Sequence, residues 1–264
     1  MKSRSSSRYM LFGNAIIGPM VELAPEAYEA LVNDIVAAVR PKSDAAPSSG
    51  SLAAAVESTL LAPGATAEQI DRLCDDAAAW GVAAVCVPSV WLAHAAARLR
   101  PTPVLVATVV GFPLGNSLGS VKLFEAAECL KLGADELDVV INFAALKSGQ
   151  DALVQSELAA VTALAHAAGA RVKAILEMGL LSPAELGRAA AAALAAGVDF
   201  LKNGTGFGGH GDATPETIAR LHELAAGRAR IKAAGGIRTP AQARALLNAG
   251  ADRLGTSTGA ALLS

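Results

Sequence analysis

Gly197-Val198-Asp199-Phe200-Leu201-Lys202-Asn203-Gly204-Thr205-Gly206 holds the unit whose repetition decides the fold. A glycine ends a helix, a short apolar run follows, and the run breaks at a polar residue into a glycine-rich turn. Seven further runs of this kind occupy 56–60, 83–87, 104–110, 136–141, 172–177, 230–234 and 252–256. Alanine- and leucine-rich stretches of helical spacing separate them, and Gly81, Gly133 and Gly250 stand at helix ends as Gly197 does. Eight strands, each followed by a helix, predict a (β/α)8 barrel, a fold of about 250 residues. A doubly wound open sheet is the alternative; it would require fewer strands or a reversal of strand order.

Outside this rhythm lie residues 1–51. Residues 25–40 read as an amphipathic helix, with Ala27, Leu31, Ile35 and Val39 at helical spacing, and 41–51 as a Pro- and Ser-rich linker. The expected organisation is therefore a tail, helix and linker over 1–51 and a barrel over 52–264. The basic, serine-rich start admits a weak organelle-targeting reading, but no apolar signal core follows it, and a disordered tail or expression-derived residues is the reading favoured.

Composition narrows the partners. A net charge of -2 gives no electrostatic reason to expect nucleic acid or an anionic membrane. Cys74, Cys86 and Cys129 lack metal or redox spacing, which fits a reducing cytoplasm, and the four histidines form no HExxH pair. No apolar run reaches transmembrane length.

In a barrel the chemistry sits at the C-terminal ends of strands. The polar residues there are Glu57, Thr59, Cys86, Thr108, Asp138, Asn142, Lys173, Glu177, Lys202, Lys232, Ser257 and Thr258. Burial strips an ammonium of water and favours the neutral amine, which attacks carbonyls, so Lys202 is the candidate nucleophile. Lys232 ends the next strand, and the two lysines are expected to converge, each lowering the other's pKa. Structural ion pairing inside the barrel is the plain alternative for any one of these charges. Glycines at 235–236 and in 255–259 follow the seventh and eighth runs, where this fold often binds phosphate, and Thr205-Gly206 adjoins them. Ordinary turn chemistry is the other reading. Gly204-Thr205-Gly206-Phe207-Gly208-Gly209 also matches a dinucleotide fingerprint, but the ribose-binding acid expected about 20 residues on is missing. His210 reads as an exposed loop residue, His94 and His166 as outer helix contacts, and Cys86 as a small core residue.

Several ordered motifs carry a family resemblance: Thr59-Leu60-Leu61 with Pro63, Ala84-Val85-Cys86-Val87, the run from Val106 to Gly115, Glu136-Leu137-Asp138 with Asn142, Lys202 with Thr205-Gly206-Phe207, and Lys232 with Gly235-Gly236. Together they resemble the deoxyribose-phosphate aldolases. The resemblance implies a metal-free, cofactor-free class I aldolase that splits 2-deoxyribose 5-phosphate into acetaldehyde and glyceraldehyde 3-phosphate. It further implies that Lys202 forms the Schiff base, Lys232 keeps it neutral, and Asp138 shuttles protons with a water. Thr205, Gly206, Gly235, Gly236, Ser257 and Thr258 would hold the phosphate. A cytoplasmic homodimer acting on a phosphosugar and an aldehyde is expected. Where the family has Thr and Ser after the Schiff-base lysine, this chain has Asn203 and Gly204. It has Met178 for Thr, Ala234 for Ser, Glu57-Ser58 for Asp-His and Ala62 for Lys. The lost hydroxyls are expected to alter the lining of the site.

Overall fold

The computed structural model describes residues 30, 33–35, 51–207, 209 and 212–263. Eight parallel strands close on themselves in sequence order: β1 (Val56–Thr59), β2 (Ala84–Cys86), β3 (Leu105–Val110), β4 (Glu136–Val140), β5 (Arg171–Ile175), β6 (Phe200–Lys202), β7 (Arg230–Ala234) and β8 (Arg253–Thr256). Pairing of Glu57 with Gly255 and of Ser58 with Thr256 completes the barrel and removes the open-sheet alternative. All the strands but β7 are shorter than their apolar runs. The run over 198–202, for example, keeps three residues in β6, because Asp199 is used at the strand entrance.

Around the barrel run α1 (Ala67–Trp80), α2 (Leu92–Leu99), α3 (Gly119–Lys131), α4 (Phe143–Lys147), α5 (Asp151–Ala167), α6 (Pro183–Ala195), α7 (Pro215–Ala225), α8 (Pro240–Asn248) and α9 (Gly259–Leu263). Local chemistry starts and stops them. Capping boxes at Thr66/Gln69, Ser182/Glu185, Thr214/Thr217 and Thr239/Gln242 satisfy the first free N–H groups of α1, α6, α7 and α8. Gly81 ends α1 in the left-handed region at φ 64°, which costs glycine nothing.

One device recurs at the strand entrances. Asp135, Asp199 and Asp252 each follow a Gly-Ala or Gly-Val pair, and each carboxylate accepts the N–H of a residue on the preceding strand: Val106 at 2.7 Å, Val172 at 2.8 Å and Ile231 at 2.7 Å. These bonds fix the stagger between neighbouring strands, and the stagger decides which side chains meet inside.

The main apolar core lies between strands and helices, where Leu137, Val139, Ile231 and Ala233 point outward. Inside the barrel, only Cys86, Ala107 and Val109 form a small apolar cluster, joined by Leu61 and Phe112. Much of the rest of the described interior is charged, with Phe200 below the charges. Of the expected helix over residues 25–40, Ala30 and residues 33–35 are described and helical, and the Ile35 side chain is buried. His94 meets Asp71 at 2.8 Å and His166 meets Asp199 at 2.9 Å, as expected of outer contacts. His210 lies outside the described residues. α7 begins at Pro215, well beyond Gly209, so the fingerprint glycines do not form a helix's first turn as dinucleotide binding requires.

Candidate active site

Alternation along each strand sends every second side chain inward. On β4 these are Glu136 and Asp138, on β6 Phe200 and Lys202, and on β7 Lys232 and Ala234. Register then sets Asp138 opposite Lys173, Lys202 opposite Lys232, and Lys232 opposite Arg253. Asp138 sits at the centre. Its Oδ2 accepts from Lys202 Nζ at 2.8 Å and from Lys232 Nζ at 2.6 Å, and its Oδ1 accepts from Lys173 Nζ at 2.8 Å. Glu57 forms a tight ion pair with Lys232 and lies 3.4 Å from both Lys173 and Arg253. Glu136 lies 2.5 Å from Lys173 and 3.2 Å from Arg253, and its other oxygen meets Arg171 at 2.8 Å. The Phe200 ring lies below this layer, with the Arg230 guanidinium 4.2 Å from its centroid.

Cations outnumber carboxylates here: Glu57, Glu136 and Asp138 face Lys173, Lys202, Lys232 and Arg253, with Arg171 reaching Glu136 from the edge. Lys202, held by Asp138 alone, is the least compensated of the lysines. Burial lowers its pKa, and the charge of Lys232 lowers it further against the pull of Asp138. Lys232 behaves oppositely: burial disfavours its charge, but Asp138 and Glu57 together raise its pKa. The expectation that the two lysines depress each other is therefore corrected, because two carboxylates hold Lys232 and one holds Lys202. Lys173 is raised in the same way despite burial, by Asp138, Glu136 and Glu57. Asp138 is held well below the carboxylate range: burial opposes ionisation, and Lys173, Lys202 and Lys232 overcome it. Burial pushes the Cys86 thiol up to about 12, so it is no resting nucleophile.

Above this layer opens a cavity of about 500 Å³, in the usual range for small-molecule sites. Lys202 and Lys232 line it together with Thr205, Gly206, Gly235, Gly236 and Ser257, and Asp138 is fully buried behind them. Thr258 does not line it; its hydroxyl donates to the Ile237 carbonyl at 3.2 Å. Thr205 borders the cavity, but its hydroxyl and its N–H both donate to Glu177. Lys173 lies below the lysine pair rather than at the strand ends, and Asn142 caps α4 through Ala145 N–H at 3.0 Å.

The altered residues fall mostly off the cavity wall. The Asn203 side chain clamps the backbone of Ala234, accepting its N–H at 2.7 Å and donating to its carbonyl at 3.0 Å. A Cβ on Gly204 would stand 2.8 Å from Glu177 Oε1, so a larger residue there would displace the Glu177 carboxylate. Of residues 178, 203, 204 and 234, only Ala234 lines the cavity, so the lining loses fewer hydroxyls than the sequence comparison implied. Sequence reasoning missed Glu136 and Arg253 as interior charges, and Asp212 and Arg238 as cavity residues. Glu136 was detectable, since it lies two residues before Asp138 and so on the same face of β4. The pairing of Arg253 with Lys232 is a matter of register, which no local pattern reveals.

A closed (β/α)8 barrel with a lysine-rich interior, open to a cavity at the strand ends, defines the aldolase class of this fold. The family model described as "DeoC/LacD family aldolase" matches residues 50–263. Similar chains include the deoxyribose-phosphate aldolases of Geobacillus sp. (strain WCH70), 42% identical over 80% of this chain and 94% of the relative, and of Thermosynechococcus vestitus, 47% identical over 78% and 93%. The tetrameric deoxyribose phosphate aldolase structure from Aeropyrum pernix superposes with a TM-score of 0.75 at 32% identity, covering 89% of this chain and 96% of that one. The chain belongs to the DeoC/LacD family of aldolases.

Proposed function

We propose that this protein is a class I aldolase that reversibly cleaves 2-deoxy-D-ribose 5-phosphate to acetaldehyde and D-glyceraldehyde 3-phosphate. The observation that carries the reading is Lys202: buried, depressed in pKa, open to the cavity and 2.8 Å from Asp138. Relatives bearing the deoxyribose-phosphate aldolase name at 42–47% identity support the choice of substrate.

The neutral Lys202 amine adds to C1 of the open-chain sugar, forming a C–N bond while the carbonyl oxygen takes a proton. Loss of water from the carbinolamine leaves an iminium. The C3 hydroxyl then gives up its proton, its oxygen forms the new carbonyl, and the C2–C3 bond breaks. The electron pair of that bond passes into the iminium to give an enamine. Glyceraldehyde 3-phosphate departs, C2 is protonated, and water releases acetaldehyde. The iminium is the electron sink, so this route calls for no metal. Asp138 Oδ2 touches both lysines, which gives protons a path along Lys202, Asp138 and Lys232, with a water completing the relay. Lys232 stays charged and keeps Lys202 deprotonated. Gly206, Gly235, Gly236 and Ser257 receive the phosphate through backbone N–H groups and the serine hydroxyl.

A cytoplasmic homodimer belongs to the same reading. Among the described residues no helix is long and apolar enough to cross a membrane. Leu114, Leu118, Val121 and Phe124 are each more than half exposed, and the Aeropyrum pernix relative is itself oligomeric. Light scattering that returned a monomer would refute the dimer. The chemistry is tested by borohydride reduction with acetaldehyde and peptide mass spectrometry. A reduced two-carbon adduct on Lys202, lost in Lys202→Ala, is the expected result. A folded protein with no adduct on Lys202 refutes the mechanism.

A further inference from the structure

At its glycine end the cavity is bounded by Gly206, Gly235, Gly236, Arg238, Ser257 and, unexpectedly, Asp212. Under the reading above this end receives the substrate phosphate, and the inference rests on that reading. An acid is costly there, because like charges repel across a small, partly desolvated site. The side chain is also close. A methyl group added to Gly236 would collide with the carboxyl carbon and Oδ2 of Asp212, so the carboxylate lies directly against Gly236. Backbone bonding delivers it there: the adjacent Ala213 N–H donates to the Gly235 carbonyl at 3.1 Å. The stretch carrying the acid is thus tied to the loop whose N–H groups would hold the phosphate. Arg238 and Asp212 cancel as formal charges at this end, which leaves attraction for a dianion to the backbone and Ser257.

We infer that Asp212 is a specificity-determining residue: a resident carboxylate beside Gly236 that penalises a phosphate dianion and widens the range of acceptors to aldehydes with uncharged, hydroxyl-bearing tails.

The test compares KM for 2-deoxyribose 5-phosphate with KM for unphosphorylated 2-deoxyribose. It uses the full chain and its Asp212→Asn and Arg238→Gln variants at low and high ionic strength. Asp212→Asn is expected to lower KM for the phosphorylated sugar by about two- to fivefold, as befits one exposed charge, and to leave KM for the plain sugar unchanged within error. The gap between variant and parent narrows with added salt, which a packing effect would not do. Arg238→Gln moves the KM ratio the opposite way. An unchanged ratio in Asp212→Asn, with Arg238→Gln still raising KM for the phosphorylated sugar, overturns the inference and leaves the phosphate end intact. If neither variant moves the ratio and the phosphate brings no advantage, the phosphate end itself falls, and this inference with it.

Discussion

Glu57→Gln is the most informative single perturbation of the interior. Glu57 is buried and reaches Lys232, Lys173 and Arg253, and it is not in contact with Lys202. The amide keeps the shape and removes the charge. Lys173 keeps two carboxylates, while Arg253 and Lys232 each keep one; Lys232 loses the tighter contact, since Arg253 stands 3.4 Å from Glu57. Glu57 is one of the two carboxylates that raise the pKa of Lys232 against burial, so that pKa should drop in the variant. Only the charged form of Lys232 can donate a proton to the relay through Asp138, so activity falls as pH rises through the pKa of Lys232. The alkaline limb of kcat/KM should move to lower pH, while the acid limb, set by Lys202, moves less. Leaving cations under-compensated in the interior should also cost about 3–5 kcal/mol of stability near neutrality. The sign follows from linkage. A lysine raised in the fold contributes stability that is fully present below its unfolded pKa of about 10.4 and is lost as pH rises through the folded value. The assay is a pH–rate profile beside urea unfolding, with Glu57→Asp as the charge-retaining control. An alkaline limb that stays put in a variant still folded at the assay pH would refute the assignment of Lys232's charge to Glu57.

Other outcomes follow from the same network. Lys232→Leu removes the cation that lowers the pKa of Lys202, so the acid limb and the pH optimum should shift upward as kcat falls; an unshifted acid limb would contradict the role given to Lys232. Asn203→Ala should cost about 1–3 kcal/mol by orphaning the Ala234 backbone, seen as a lower Tm, with KM little altered because residue 203 is off the cavity wall. Asp138 and Glu136 are both lowered in the fold, Glu136 to about 2, so their stabilisation is present above about pH 4 and lost as pH falls toward that value. Acid titration followed by circular dichroism should place the unfolding in that window.

Much of this was legible in the sequence. The eight runs, their order and the lysines at the ends of the sixth and seventh follow from periodicity and turn chemistry, which are local signals. What escaped reading depends on register or on contacts across the chain. Asn203 looked like a lost substrate contact because its partner, Ala234, is 31 residues away on the next strand. Thr205 looked like a phosphate ligand, yet Glu177 takes both its hydroxyl and its N–H, and Glu177 reaches them from a left-handed position at φ 45° that its own sequence does not announce. Asp212 sat unremarked after a glycine-rich turn, where an acid reads as solvated.

The hardest fact to read was the balance of charge, because it belongs to no single strand. Each lysine taken alone predicts a depressed pKa, since each is buried. Only the count of carboxylates around each separates them. Lys232 touches two, Lys173 touches three, and Lys202 touches Asp138 alone. Burial acts on all three alike, so it cannot select the nucleophile. The selection comes from Glu57 and Glu136, which hold the other two charged and leave Lys202 as the cation that the interior neutralises most cheaply. On the proposed mechanism, two carboxylates remote from the substrate therefore decide which amine reacts, and the choice of nucleophile belongs to the whole inner layer of the barrel.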